Sequence, residues 1–79
     1  MRVDWVAGGE RVKYVVVIEC SPNNYAAYVP DLPGCVATGD TLEEVERNIG
    51  AAIEWHLEGL REEHVPIPEP QTTAKLVEV

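Results

Sequence analysis

The sequence predicts an α+β fold: a three-stranded antiparallel meander, one long amphipathic helix, and a final strand lying parallel to an earlier one, in the order β-β-β-α-β. Three observations predict it. Residues 14–38 alternate β-branched or aromatic runs with turn clusters, residues 42–63 carry apolar side chains at helical spacing, and residues 75–79 return to a β-rich pattern after a proline-rich exit.

Residues 14–20 (Tyr-Val-Val-Val-Ile-Glu-Cys) are dense in side chains that fit a pleated, half-buried surface, and they stop at Ser21-Pro22-Asn23-Asn24, whose members all favour turns. That is a strand followed by a hairpin. A second strand over residues 25–29 ends at Pro30-Asp31-Leu32-Pro33-Gly34, where two prolines withdraw backbone donors and Gly34 permits positive φ. Pro33 and Gly34 are turn formers with no need of a ligand. A short third strand follows at residues 35–38. Upstream, residues 2–6 followed by Ala7-Gly8-Gly9-Glu10 read either as one more strand on a Gly-Gly hairpin or as a leader outside the sheet. Residues 1–12 are therefore set apart from a single domain at residues 13–79.

Asp40-Thr41-Leu42-Glu43-Glu44 holds two overlapping capping-box registers, Asp40 with Glu43 and Thr41 with Glu44, and its acids complement the positive end of a helix dipole. A helix starts here. At about 100° per residue, Leu42, Val45, Ile49, Ala52, Ile53, His56, Leu57 and Leu60 fall on one side, and Glu44, Arg47, Glu54, Glu58 and Glu62 on the other. Pro66 and Pro68 end the helix near Glu63. The last strand, after a helix and an antiparallel meander, obeys the right-handed crossover rule if it pairs parallel to an earlier strand, with the helix over one sheet face.

Composition narrows the function. With 14 acidic and 6 basic side chains in 79 residues the net charge is −8, which opposes direct binding to DNA or RNA because such binding is mostly phosphate neutralisation. No apolar run approaches the ~20 residues that span a bilayer, and the N-terminus lacks a secretory layout, so a cytoplasmic protein is expected. Cys20 and Cys35 are too few for a disulfide framework, and neither they nor His56 and His64 form a zinc spacing. Both cysteines read as reduced thiols in apolar surroundings. No metal and no cofactor is expected.

The string Tyr28-Val29-Pro30-Asp31-Leu32-Pro33-Gly34-Cys35, followed by Thr38-Gly39-Asp40-Thr41-Leu42-Glu43-Glu44, resembles the HicB-like antitoxin family. The resemblance runs from about Lys13 to Pro70. It implies a partial ribonuclease-H-like fold without nuclease chemistry that binds and occludes a small basic mRNA-cleaving toxin, HicA. Longer members append a C-terminal DNA-binding module; with the sequence ending at Val79, DNA binding is not expected here. The segment before Lys13 and the Ser21-Pro22-Asn23-Asn24 hairpin depart from the family pattern.

Ribonuclease-H chemistry needs carboxylates gathered around two magnesium ions, and Glu19, Glu46 and Glu78 are the candidates by position. A Glu-rich chain produces such coincidences freely, so no catalytic residue is assigned. His56 sits inside the apolar arc and reads as a core histidine with one hydrogen bond; His64 reads as a polar residue near the helix C-terminus. Neither has a Ser or Cys at nucleophile spacing. Trp55 projects about 220° from Leu42 on the helical wheel, among Glu44, Asn48, Glu58 and Glu62. It is expected either to be exposed as a partner contact or to be covered by the N-terminal segment with Trp5. Tyr25 and Tyr28 lie on opposite strand faces, so one of them faces away from the helix. Partner contact is assigned to Tyr28, Asp31 and Trp55. The expected protein is a non-enzymatic antitoxin that covers a small basic toxin and forms a homo-oligomer; the alternative is an orphan module that self-associates through a sheet edge or Trp55.

Overall fold

The computed structural model describes the backbone of residues 2–7 and 10–79, and side chains from Lys13 onward. Two strands, β1 (Arg2–Ala7) and β2 (Glu10–Val15), pair antiparallel with Ala7 opposite Glu10. The N-terminal segment is therefore the extra strand of the two alternatives; the Gly8-Gly9 turn itself lies outside the described residues. Three more strands, β3 (Val17–Cys20), β4 (Tyr25–Tyr28) and β5 (Val36–Gly39), form a separate antiparallel sheet in that order. The helix α1 (Leu42–Glu62) follows.

The run predicted as one strand over residues 14–20 is divided at Val16, which belongs to neither ladder. Tyr14, Val15 and Val16 are all buried, and three buried residues in succession cannot be met by one face of a regular strand. The chain passes from one sheet to the other at this point. The Tyr14 hydroxyl donates to the Pro68 carbonyl at 2.6 Å, which ties the core to the segment leaving the helix.

The meander is pinned as its turns require. Ser21 N–H donates to the Asn24 carbonyl at 2.8 Å, and the Ser21 hydroxyl donates to the Asn24 side-chain oxygen, also at 2.8 Å. In the second turn Leu32 N–H donates to Val29 and Cys35 N–H to Leu32, with Gly34 at φ +84°. Leu32 is fully buried in this turn, so the turn is part of the core as well as a connection.

Of the two predicted capping registers, the second is used. Thr41 Oγ1 accepts from Glu44 N–H at 3.1 Å, and Glu44 Oε1 accepts from Asp40 N–H at 2.9 Å, one residue upstream of the usual reciprocal bond. At the other end Val65 N–H donates to the Leu60 carbonyl and His64 N–H to Arg61, with His64 at φ 57°. This is a Schellman closure with a histidine in the left-handed position, so the backbone turns at His64 before any proline acts. The buried stripe Val45, Ile49, Ile53 and Leu57 recurs every four residues and meets Val29, Leu32, Ala27 and Cys35. Ala52 and Leu60 pack at its margin, while Leu42 is 46% exposed and lies outside the core, contrary to its place on the predicted arc.

The predicted final strand is also absent: residues 75–79 join no ladder, and Leu76, Val77 and Val79 are exposed. Pro66, Pro68 and Pro70 remove backbone donors after the helix, where no strand or helix forms, and Ile67 packs on the core. Gln71 and Thr72 are then bound by Asp31. A β-rich composition makes a strand only where a neighbour supplies the other half of the ladder, and here none does.

Candidate protein-binding site

The three-stranded sheet has one face on the helix and one in solvent. Ile18, Tyr25, Ala27 and Ala37 pack toward the core. The opposite face carries a row formed by Val17, Tyr28 and Val36, which the register places directly across from one another on three adjacent strands. Tyr28 is 41% and Val36 65% exposed. The two strand tyrosines thus face opposite ways, as alternation requires, and Tyr28 is the outward one.

Beside this row the sheet has an open edge. The Val29 N–H to Cys35 carbonyl bond (3.2 Å) extends the β4–β5 ladder by one bond, the Cys35 N–H and the Val29 carbonyl being taken by Leu32, so by antiparallel alternation the 27–37 pair exchanges hydrogen bonds and the 28–36 and 26–38 pairs do not. Val36 and Thr38 consequently direct their backbone groups away from β4. The Thr38 carbonyl is taken by Asn48 Nδ2 from the helix at 2.8 Å. The Val36 N–H and C=O and the Thr38 N–H remain at the edge, without a hydrogen-bond partner among the described residues.

Between that edge and the C-terminal half of α1 lies a groove of about 560 Å³. Cys35, Val36, Ala52, Trp55, His56 and Leu60 line it, and Glu62 and Glu63 bring carboxylates to the same wall. Trp55 is 80% exposed, the first of its two predicted states; the side chain of Trp5 lies outside the described residues. His56 is half-buried on the groove wall, and no described residue hydrogen-bonds its ring, so it is a groove residue and not the bonded core histidine expected. Val36 joins groove and sheet row into one surface. Sequence reading missed it because a single exposed valine in a short strand carries no signal until its cross-strand neighbours are known.

Asp31 is engaged within the chain. Its carboxylate accepts from Thr72 N–H at 3.1 Å, Thr72 Oγ1 at 3.0 Å and Gln71 N–H at 3.2 Å. Desolvation pushes its pKa up, but the backbone and hydroxyl bonds from Thr72 and the Gln71 amide together outweigh it and leave the pKa below the ordinary carboxylate value. Of the three residues assigned to partner contact, Tyr28 and Trp55 are exposed, and Asp31 holds the tail.

Cys35 lines the groove with His56, but burial raises its thiol pKa, the opposite of what activates a nucleophile. Glu19, Glu46 and Glu78 are all exposed, and among the described residues no three His, Cys, Asp or Glu side chains gather as a metal site. No described helix is long and apolar enough to cross a membrane.

A small sheet with one covering helix borders a mostly apolar groove with an acidic rim. The chain belongs to the HicB-like antitoxin family of bacterial toxin–antitoxin systems, whose sequence model matches residues 14–79. It is 41% identical over 63 residues to a UPF0150 protein of Synechocystis, covering 78% of this chain and 80% of that one. An uncharacterized 14.9 kDa protein from the rep-hol intergenic region of Haemophilus phage HP1 is 41% identical over 56 residues, 71% of this chain and 42% of that protein, so the chain spans well under half of the phage protein's length. A UPF0150 protein of Helicobacter pylori is 54% identical over 41 residues, 52% of this chain and 57% of that one. No solved structure matches the chain.

Proposed function

We propose that this chain is a non-enzymatic, cytoplasmic antitoxin that binds a small basic, RNA-cleaving toxin of the HicA kind and occludes its RNA-binding surface. Family membership supports a toxin partner. The observation that carries the mode of binding is Trp55, 80% exposed on the wall of an apolar groove whose rim includes Glu62 and Glu63. Large aromatic side chains with an adjoining pocket are the usual anchors of protein interfaces. The net charge of −8 favours encounter with a cationic partner and predicts an association rate that falls with salt. Tyr28 and Val36 extend the contact across the β5 edge, and inhibition is steric: the toxin is covered, and no bond is made or broken.

The test is binding to the short basic chain encoded in the adjacent reading frame, measured by calorimetry and by rescue of growth on co-expression. Trp55→Ala is expected to weaken binding by about 2–4 kcal/mol, roughly 30-fold to 1000-fold in Kd. Full affinity and full rescue by Trp55→Ala overturn the assigned surface. The open β5 edge favours a second reading, a self-associating module without a toxin, for which no adjacent basic chain binds.

A further inference from the structure

In one copy of this protein, a strand-forming segment without a sheet coexists with a sheet edge without a strand. Residues 75–79 (Lys-Leu-Val-Glu-Val) join no ladder, and Leu76 (101%) and Val79 (118%) are fully exposed. Among the described residues the Val36 N–H and C=O and the Thr38 N–H have no partner on β5, next to the groove beneath Trp55. We infer that the tail of one copy adds as a strand to the β5 edge of a second copy.

The two surfaces match in several independent respects. The tail offers five residues to a four-residue edge strand. Alternation puts Lys75, Val77 and Val79 on one face and Leu76 and Glu78 on the other. With the first face toward the helix, Val77 and Val79 enter the groove lined by Ala52, Trp55 and Leu60, and Lys75 reaches the Glu62 and Glu63 carboxylates. Leu76 then extends the outer row of Tyr28 and Val36. Main-chain bonds to Val36 and Thr38 supply affinity, and the alternating side chains set the register.

The connection to the tail also favours a second copy over the same one. Asp31 fixes Gln71 and Thr72, so the tail leaves from a set point, and residues 75–79 join no ladder of their own sheet. A fixed departure point for an unsatisfied strand suits exchange between identical chains, which closes as a two-fold dimer when each tail reaches the other's edge. The exchange stands without the toxin-binding reading and uses the same groove, so a toxin would displace the tail.

The experiment is sedimentation equilibrium on the full chain, without toxin, over micromolar to millimolar concentration. The wild type is expected to dimerise. The double variant Val77→Asp with Val79→Asp, altered only at exposed positions, is expected to keep its circular dichroism and raise the dimer dissociation constant about a hundredfold, the scale of a lost interface anchor. Trp55→Glu, also at an exposed position, is expected to do the same. Mixing these two variants restores a heterodimer with one intact junction, because each supplies what the other lacks. A wild type that stays monomeric, a tail variant that dimerises normally, or a mixture that does not associate overturns the exchange. So does a monomer whose Val36 amide is protected from hydrogen exchange by its own tail. None of these readouts involves toxin binding, which fails or succeeds separately.

Discussion

Gly39→Ala and Gly59→Ala make the same chemical change at one glycine just before the helix and one within it, and their effects are expected to have opposite signs. At Gly39, the last residue of β5, an added Cβ would stand 2.5 Å from Val45 N, 2.9 Å from Val45 Cα and 3.1 Å from the Glu44 carbonyl carbon. These are backbone atoms, so no side-chain rotation relieves the overlap. The helix must retreat by about an ångström to restore ordinary contact, yet its first turn is tied by the Thr41 and Glu44 cap two residues beyond the strand. Overpacking of this kind costs about 1–3 kcal/mol, and backbone neighbours put Gly39→Ala at the upper end, about 2–3 kcal/mol. At Gly59 the same Cβ meets nothing within 4 Å, and the residue lies in the helix, where alanine is favoured over glycine by about 1 kcal/mol. Urea unfolding followed at 222 nm, at one dilute protein concentration, measures both. For a domain of this size 1 kcal/mol shifts the midpoint temperature by about 4–8 °C, so the two variants should separate by roughly 12 °C or more. A Gly39→Ala protein within about 0.5 kcal/mol of wild type would refute the close strand–helix approach, because a seated helix cannot absorb that overlap without cost.

The left-handed His64 predicts that His64→Gly stabilises the protein by about 1 kcal/mol, through relief of the Cβ clash in that conformation; equal or lower stability in urea contradicts the assigned closure. Asp31 has a folded pKa below its unfolded value, so its contribution is fully present above the ordinary carboxylate value near 3.9 and is lost as pH falls through the folded pKa. Amide resonances of Gln71 and Thr72 should therefore hold steady from pH 7 to 5 and shift only below the ordinary carboxylate range, and Asp31→Asn should remove that dependence. A midpoint above the ordinary value counts against the clamp. Cys20 is exposed and Cys35 buried with a raised pKa, so a thiol reagent at neutral pH should modify Cys20 first, with Cys35 reacting at the rate of unfolding; simultaneous modification read by mass spectrometry would contradict the packing of the β4–β5 turn.

Local rules made much of the molecule legible in advance. Ser21-Pro22-Asn23-Asn24 and the Pro30-to-Gly34 run were read as turns from their own residue chemistry, and both are turns held by their own backbone bonds. The helix start was written in Thr41 and Glu44, and its buried stripe in the spacing of Val45, Ile49, Ile53 and Leu57. Periodicity put Trp55 on the polar side of the helix, with exposure as one of two outcomes, and strand alternation put Tyr25 and Tyr28 on opposite faces; the structure made Trp55 exposed and Tyr28 the outward tyrosine. Each depends on residues within about a turn or a strand of one another, where sequence separation and spatial separation are nearly the same thing.

Where the outcome depended on a distant neighbour, the sequence was silent or misleading. Tyr14, Val15 and Val16 look like an uninterrupted strand, and only the crossing between two sheets explains why the ladder breaks at Val16. Asp31 was assigned to partner contact, but Gln71 and Thr72, 40 and 41 residues away, claim its carboxylate. Residues 75–79 have the composition of a strand and lack one, because strand character is completed by a partner edge and not by the segment itself. The groove arises in the same way: Val36, Trp55 and Leu60 are unremarkable singly, and become a site only when the β4–β5 turn and the far half of the helix are brought together. The sequence by itself determined turns, caps, the helix stripe, net charge and family; tertiary structure decided which backbone groups were left unpaired and which side chains met, since those depend on packing between residues that no local rule connects.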